Sequence, residues 1–98
     1  MRGRASYHRL AEQELLEAAR YYERESAGLG AALILEAERC VDAILDQPTA
    51  GRLVVAEVRR RLIRRFPYAI LYRVTGEGIR ILAAMNLRRR PSYWIGRR

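Results

Sequence analysis

The stretch "VRRRLIRRFPYAILYRVTGEGIRILAAMN" (58–86) decides the fold. Its middle, "YAILYRV" (68–74), is apolar at nearly every position, the pattern of a strand buried on both faces. "TGEG" (75–78) is a tight-turn signature, and "IRILAAM" (79–85) alternates enough to return as the partner strand. Upstream, Val58, Leu62, Ile63 and Phe66 are β-type apolar residues interleaved with five arginines, which makes 57–66 a further strand. Pro67 interrupts the run between the two and marks a bend or an edge position.

A sheet of this kind needs a cover, and the first half of the chain supplies one. Ala11, Leu15, Ala18 and Tyr22 recur at helical spacing, with Glu12, Glu14, Glu17 and Arg20 on the other faces. That helix runs from Leu10 to about Arg24. "ESAGLG" (25–30) carries cap and turn chemistry in Ser26 and Gly28. A second helix follows from about Leu29 to Asp46 on a stripe of Leu33, Ala37, Cys40 and Ile44, and Pro48 ends it. The short link predicts an antiparallel helical hairpin, and neither helix buries its stripe alone. "RASYH" (4–8) is a short candidate first strand. The predicted class is α+β: an N-terminal strand, then a two-helix hairpin on one face of a small antiparallel sheet, then a short C-terminal helical turn. At 98 residues the chain is one domain, 1–98, with no linker, repeat or low-complexity segment.

Charge divides the chain more sharply than composition does. Residues 1–51 hold six arginines against nine acidic residues, a net of −3. Residues 52–98 hold thirteen arginines against Glu57 and Glu77, a net of +11. There is no lysine, so every cation is a guanidinium that keeps its proton at physiological pH. The split predicts a basic surface on the second half and an acidic partner or polyanion to meet it. The second half's arginines are expected mainly on or around the sheet face away from the helices.

Several chemistries find no support. Cys40 is a single cysteine in an apolar stripe, a buried small hydrophobe that fits a reducing cytosol. His8 is isolated, so no metal-ligand spacing exists, and an ordinary surface residue is the simpler reading. No P-loop, dinucleotide fingerprint or nucleophile elbow appears, and no cofactor is expected. The N-terminus lacks a signal h-region and no window spans a membrane, which predicts a cytoplasmic protein.

What remains is arginine beside aromatics. Arg59, Arg60, Arg61, Arg64 and Arg65 lie on one predicted strand, and "NLRRRPSYW" (86–94) follows the last. Alternation puts Arg60 and Arg64 on one face and Arg59, Arg61 and Arg65 on the other. Guanidinium groups bind anions bidentately and aromatic rings offer stacking surfaces. Arg61, Arg64, Arg65, Arg89, Arg90 and Trp94 are therefore the candidate partner-binding set. For any single arginine a solubilising role is the simpler reading; for the cluster, binding is.

Four segments in order, "AEQELLEAARYYE" (11–23), "GLGAALILEAERCVDAILDQP" (28–48), "VRRRLIRRFPYAILYRV" (58–74) and "RRRPSYW" (88–94), resemble the ParE/RelE superfamily of small bacterial toxins. These belong to type II toxin–antitoxin and plasmid-stabilisation modules. The resemblance implies a toxin held inactive by a cognate antitoxin, here expected to bring an acidic segment. RelE-like members are ribosome-dependent ribonucleases that cut mRNA by attack of a 2′-OH, using basic residues at positions that here fall on Arg60, Leu62 and Ala69. A C-terminal arginine and tyrosine fall near Arg88 and on Tyr93, so Arg60, Arg88 and Tyr93 are the catalytic set if the chain is a nuclease. Two of the charged positions are apolar here, and Asn86 stands where many such chains have histidine. The ParE-like branch poisons DNA gyrase by binding and asks for no chemistry. The chain resembles that branch more, with the ribonuclease as alternative and a non-toxic nucleic-acid-binding or regulatory relative as a third reading.

Overall fold

The computed structural model describes residues 3–98. Its elements in chain order are β1 (Arg4–Tyr7), α1 (Arg9–Glu25), α2 (Leu29–Asp46), β2 (Arg52–Val55), β3 (Val58–Leu62), β4 (Tyr68–Thr75) and β5 (Gly78–Asn86). The helical hairpin lies on one face of a five-stranded sheet of order β1-β5-β4-β3-β2. Among the described residues, no helix is long and apolar enough to cross a membrane.

The α+β class and the elements expected at both ends of the hairpin are present. The sheet, however, is mixed rather than antiparallel, because β1 pairs parallel to β5 in the register Ala5↔Ile79 and Tyr7↔Ile81. Strand direction depends on where the chain has returned after two helices, which alternation does not record. The sheet also gains β2, to which the periodicity argument assigns no element. Its four residues, "RLVV", are too few to carry a pattern and are exposed on both faces.

Local chemistry fixes the hairpin. His8 caps α1 by accepting the Leu10 N–H on Nδ1 at 3.0 Å, a structural use for the chain's one histidine. Ser26 closes the helix through its own N–H to Tyr22 O at 3.0 Å, and Gly28 turns the chain in the left-handed region at φ +88°. The Glu23 carboxylate then accepts the N–H groups of Gly28 and Gly30 at 2.9 and 3.0 Å. Those two bonds favour the charged form and lower its pKa.

Gly30 lets the helices close on each other, since a Cβ there would run into the carbonyl oxygen of Ala19. Gly30→Ala is therefore expected to lower stability by about 1–3 kcal/mol, the cost of overpacking against backbone. Thermal unfolding checks it; a variant as stable as the parent would mean that α1 and α2 are free to slide apart.

Along β4 and β5 both faces of the sheet are buried. On the helix side, Ile70, Tyr72, Ile79, Ile81 and Ala84 pack beneath Leu15, Leu33, Ala37 and Ile44. On the other side, Val58, Ala69, Leu71, Leu82, Ala83 and Met85 form a second cluster closed by Trp94. A bulge divides β5 between these faces: the register steps from Leu71↔Ala83 to Tyr72↔Ile81, leaving Leu82 as the extra residue. Leu82 and Ala83 consequently share a face, which is why "ILAAM" has no strict alternation.

Candidate functional site

The arginines of β3 divide by register. Arg59 and Arg61 stand opposite Tyr72 and Ile70 on the helix side, while Arg60 and Leu62 stand opposite Leu71 and Ala69 on the second face. The expectation that these arginines lie mainly away from the helices therefore holds for only part of the strand. Arg59 is half-buried and structural, its Nη1 donating to Thr49 O and Gly51 O, both at 2.8 Å. Together with the Tyr72 hydroxyl, which donates to Pro48 O at 2.7 Å, it fastens the connection between α2 and β2.

The alternation stops at Leu62. Ile63 is buried, and Arg64 and Arg65 are exposed in the turn before β4, so neither belongs to a sheet face. Arg65 takes a positive φ of +73° and holds its guanidinium 5.6 Å from the Phe66 ring centroid. Pro67 does mark a bend, and the chain re-enters the sheet with Ile63 N–H donating to Tyr68 O at 2.9 Å.

Beyond β5 the chain folds back in successive turns. Asn86 starts them: its side-chain oxygen accepts the Arg88 N–H at 2.9 Å, and its amide lies 3.5 Å from the Tyr68 hydroxyl. Arg88, Arg89 and Arg90 are all exposed there. Arg89 and Arg97 place guanidinium carbons 4.1 and 5.1 Å from the centroid of the Tyr93 ring. The Tyr93 hydroxyl is buried with the Glu14 carboxylate close by, though not in good hydrogen-bond geometry. Burial first, and then the Glu14 carboxylate, push its pKa well above the usual tyrosine range.

Trp94 is placed differently from its role as a candidate contact. It is 2% exposed, packs on the second face, and donates its indole N–H to Pro91 O at 2.6 Å. In this conformation its ring is core and offers nothing to a partner. The anchor of the same segment is a pair the sequence does not reveal. Arg97 meets Glu14 through two bonds of 3.0 and 3.1 Å, and its Nη1 also donates to Leu82 O at 3.0 Å. Glu14 in turn accepts the Ala84 N–H at 3.2 Å. Because β1 covers β5 only as far as Ile81, these contacts seal the edge of β5 that no strand covers.

The chemistry available follows from these positions. Of the positions that the nuclease reading would need, Arg60, Leu62 and Ala69 share one sheet face, with the last two directly opposite each other. Leu62 is apolar and exposed, and Ala69 is buried with no side-chain functional group. Arg60 and Arg88 can stabilise an anion but are poor bases. A tyrosine whose hydroxyl is buried and whose pKa is raised does not accept a proton at neutral pH. Among the described residues, no group of three His, Cys, Asp or Glu side chains is placed to hold a metal ion. The arrangement offers exposed guanidinium groups suited to anionic or hydrogen-bonding partners.

Comparison with known proteins agrees with the fold. The family described as "ParE toxin of type II toxin-antitoxin system, parDE" matches residues 5–90, leaving Tyr93 and Trp94 outside the matched segment. Among solved structures the chain is similar to one titled "Chromosomal ParDE TA system from P. aeruginosa", with a TM-score of 0.74 and 22% identity. The similarity covers 85% of this chain and 94% of that one. No curated protein matches.

Proposed function

Because the chain belongs to the ParE toxin family of type II toxin–antitoxin systems, we propose that it arrests growth by binding and poisoning DNA gyrase, and that a cognate antitoxin neutralises it. The observation that carries the choice of mechanism is the Leu62–Ala69 pair. On the face where a ribonuclease would gather cations and a base, two neighbouring strands present a leucine and an alanine. Arg60 beside them supplies charge without proton transfer. Arg64, Arg65, Arg88, Arg89 and Arg90 are exposed around this region and form the contact set for the target.

The antitoxin is expected to bring carboxylates, because thirteen of the chain's arginines fall after residue 51 against two acids. Expression without that partner is predicted to stop growth, and co-expression of a neighbouring open reading frame with an acidic tail is predicted to restore it. Harmless expression of folded protein would reject the toxin assignment.

A further inference from the structure

At two places the described sheet sets arginine directly opposite arginine, Arg73↔Arg80 and Arg52↔Arg60. Like charges in that relation repel and weaken strand pairing. At the first pair the fold supplies an acceptor, because Arg80 donates to Arg98 O from Nε at 3.4 Å and from Nη2 at 3.2 Å. At the second it supplies none. Arg52 is exposed and Arg60 half-buried, and neither guanidinium makes a hydrogen bond or ion pair among the described residues.

A third unpaired cation joins them. Arg52, Arg60 and Arg61 line one hollow of about 440 Å³ against the connection from α2 to β2, with Gln47, Gly51 and Leu62 around them. Among the described residues no carboxylate lines it. The half-buried Arg61 likewise has no partner for its guanidinium among the described residues. Free backbone carbonyls in the connection would oppose an anion, but four of them are already taken. Gln47 O accepts the Ala50 N–H at 3.1 Å, Pro48 O accepts the Tyr72 hydroxyl, and Thr49 O and Gly51 O share the Arg59 guanidinium. The hollow is left with three fixed positive charges and the Gln47 amide as a further donor.

Charge of this density in a concave site selects a compact anion. One phosphate monoester carries about −1.5 to −2 at pH 7 and under-neutralises three guanidinium groups. Two linked phosphates match them, and guanidinium groups meet phosphate oxygens bidentately. A nucleic-acid backbone instead spaces single charges along a track, so few of them enter one hollow. We propose that this hollow binds a terminal diphosphate group, as a nucleoside di- or triphosphate carries, through Arg52, Arg60 and Arg61. The bound anion bridges the Arg52–Arg60 pair and so steadies β2, the outermost strand, on β3. The site depends on neither the gyrase reading nor an antitoxin, and its test involves neither.

Calorimetry on the full chain compares inorganic pyrophosphate, ADP, AMP, citrate and a short DNA duplex without terminal phosphates. Pyrophosphate and ADP are expected to bind within about threefold of each other, and AMP and citrate about 10-fold or more weakly. Arg60→Gln and Arg61→Gln should each weaken ADP by about 10-fold or more. Arg73→Gln, at the other arginine pair, should stay within about threefold of the parent. Thermal melts give a second reading through the exposed Arg52. Pyrophosphate should raise the parent's Tm, whereas Arg52→Gln should raise Tm without any anion and remove most of that gain. Citrate binding as tightly as pyrophosphate, or an equal loss in Arg73→Gln, would reduce the hollow to part of a diffuse cationic surface and overturn the site. A duplex that displaces ADP more effectively, phosphate for phosphate, than pyrophosphate does would overturn it too, by making nucleic-acid backbone the ligand.

Discussion

Trp94→Ala is expected to cost about 3–5 kcal/mol, the usual range for removing a buried aromatic side chain. The ring is 2% exposed and closes a cluster that includes Leu71, Leu82 and Met85. On a domain of this size such a loss lowers Tm by roughly 15–30 °C. It takes a large share of a total stability of about 5–15 kcal/mol. Trp94→Phe separates packing from hydrogen bonding. It keeps most of the ring and gives up the 2.6 Å bond to Pro91 O, so its loss should be nearer 1 kcal/mol plus a small cavity cost. A thermal melt in which Trp94→Ala behaved like the parent would show that the C-terminal segment does not hold the second face.

The second large effect concerns Glu14. Its side chain and that of Arg97 are 15% and 13% exposed, so the pair is mostly desolvated. Glu14→Ala removes both bonds to Arg97 and the acceptor for the Ala84 N–H at the bulge. Breaking a buried pair from one side costs about 3–5 kcal/mol, because the remaining charge stays where water is scarce. Removing both partners is expected to cost less than the sum of the single losses, and a double-mutant cycle with Arg97→Ala measures that difference. High salt should change the result little, in contrast to an exposed pair. A loss below about 0.5 kcal/mol would place the pair among ordinary surface contacts.

Both effects fall on residues whose roles depend on long-range placement, and that marks how far the sequence can be read. The helices and β3–β5 were legible because their patterns are local: a stripe at Leu33, Ala37, Cys40 and Ile44 repeats within one element. Trp94 was not, because an aromatic after three arginines looks the same whether its ring meets a partner or folds back on the sheet. Glu14 and Arg97 lie 83 positions apart, and nothing in their surroundings links them. The β3 arginines were half legible. Alternation places Arg59, Arg60 and Arg61 correctly by face, but it fails at Arg64 and Arg65, where the strand has already ended. The Leu62–Ala69 pair is the reverse case. Its apolar character is plain from the sequence, and the structure adds that the two residues sit directly opposite on one face.

That pair carries the central proposal, a toxin that acts by binding its target and not by cutting RNA. The most direct measurement incubates purified protein with DNA gyrase and plasmid, and in parallel with mRNA on programmed ribosomes. Trapped gyrase–DNA cleavage complexes with intact mRNA are the predicted result, and they should diminish when Arg88, Arg89 and Arg90 are changed together to alanine. Cleavage of ribosome-bound mRNA that disappears in Arg60→Ala or Tyr93→Phe, with gyrase unaffected, would contradict it.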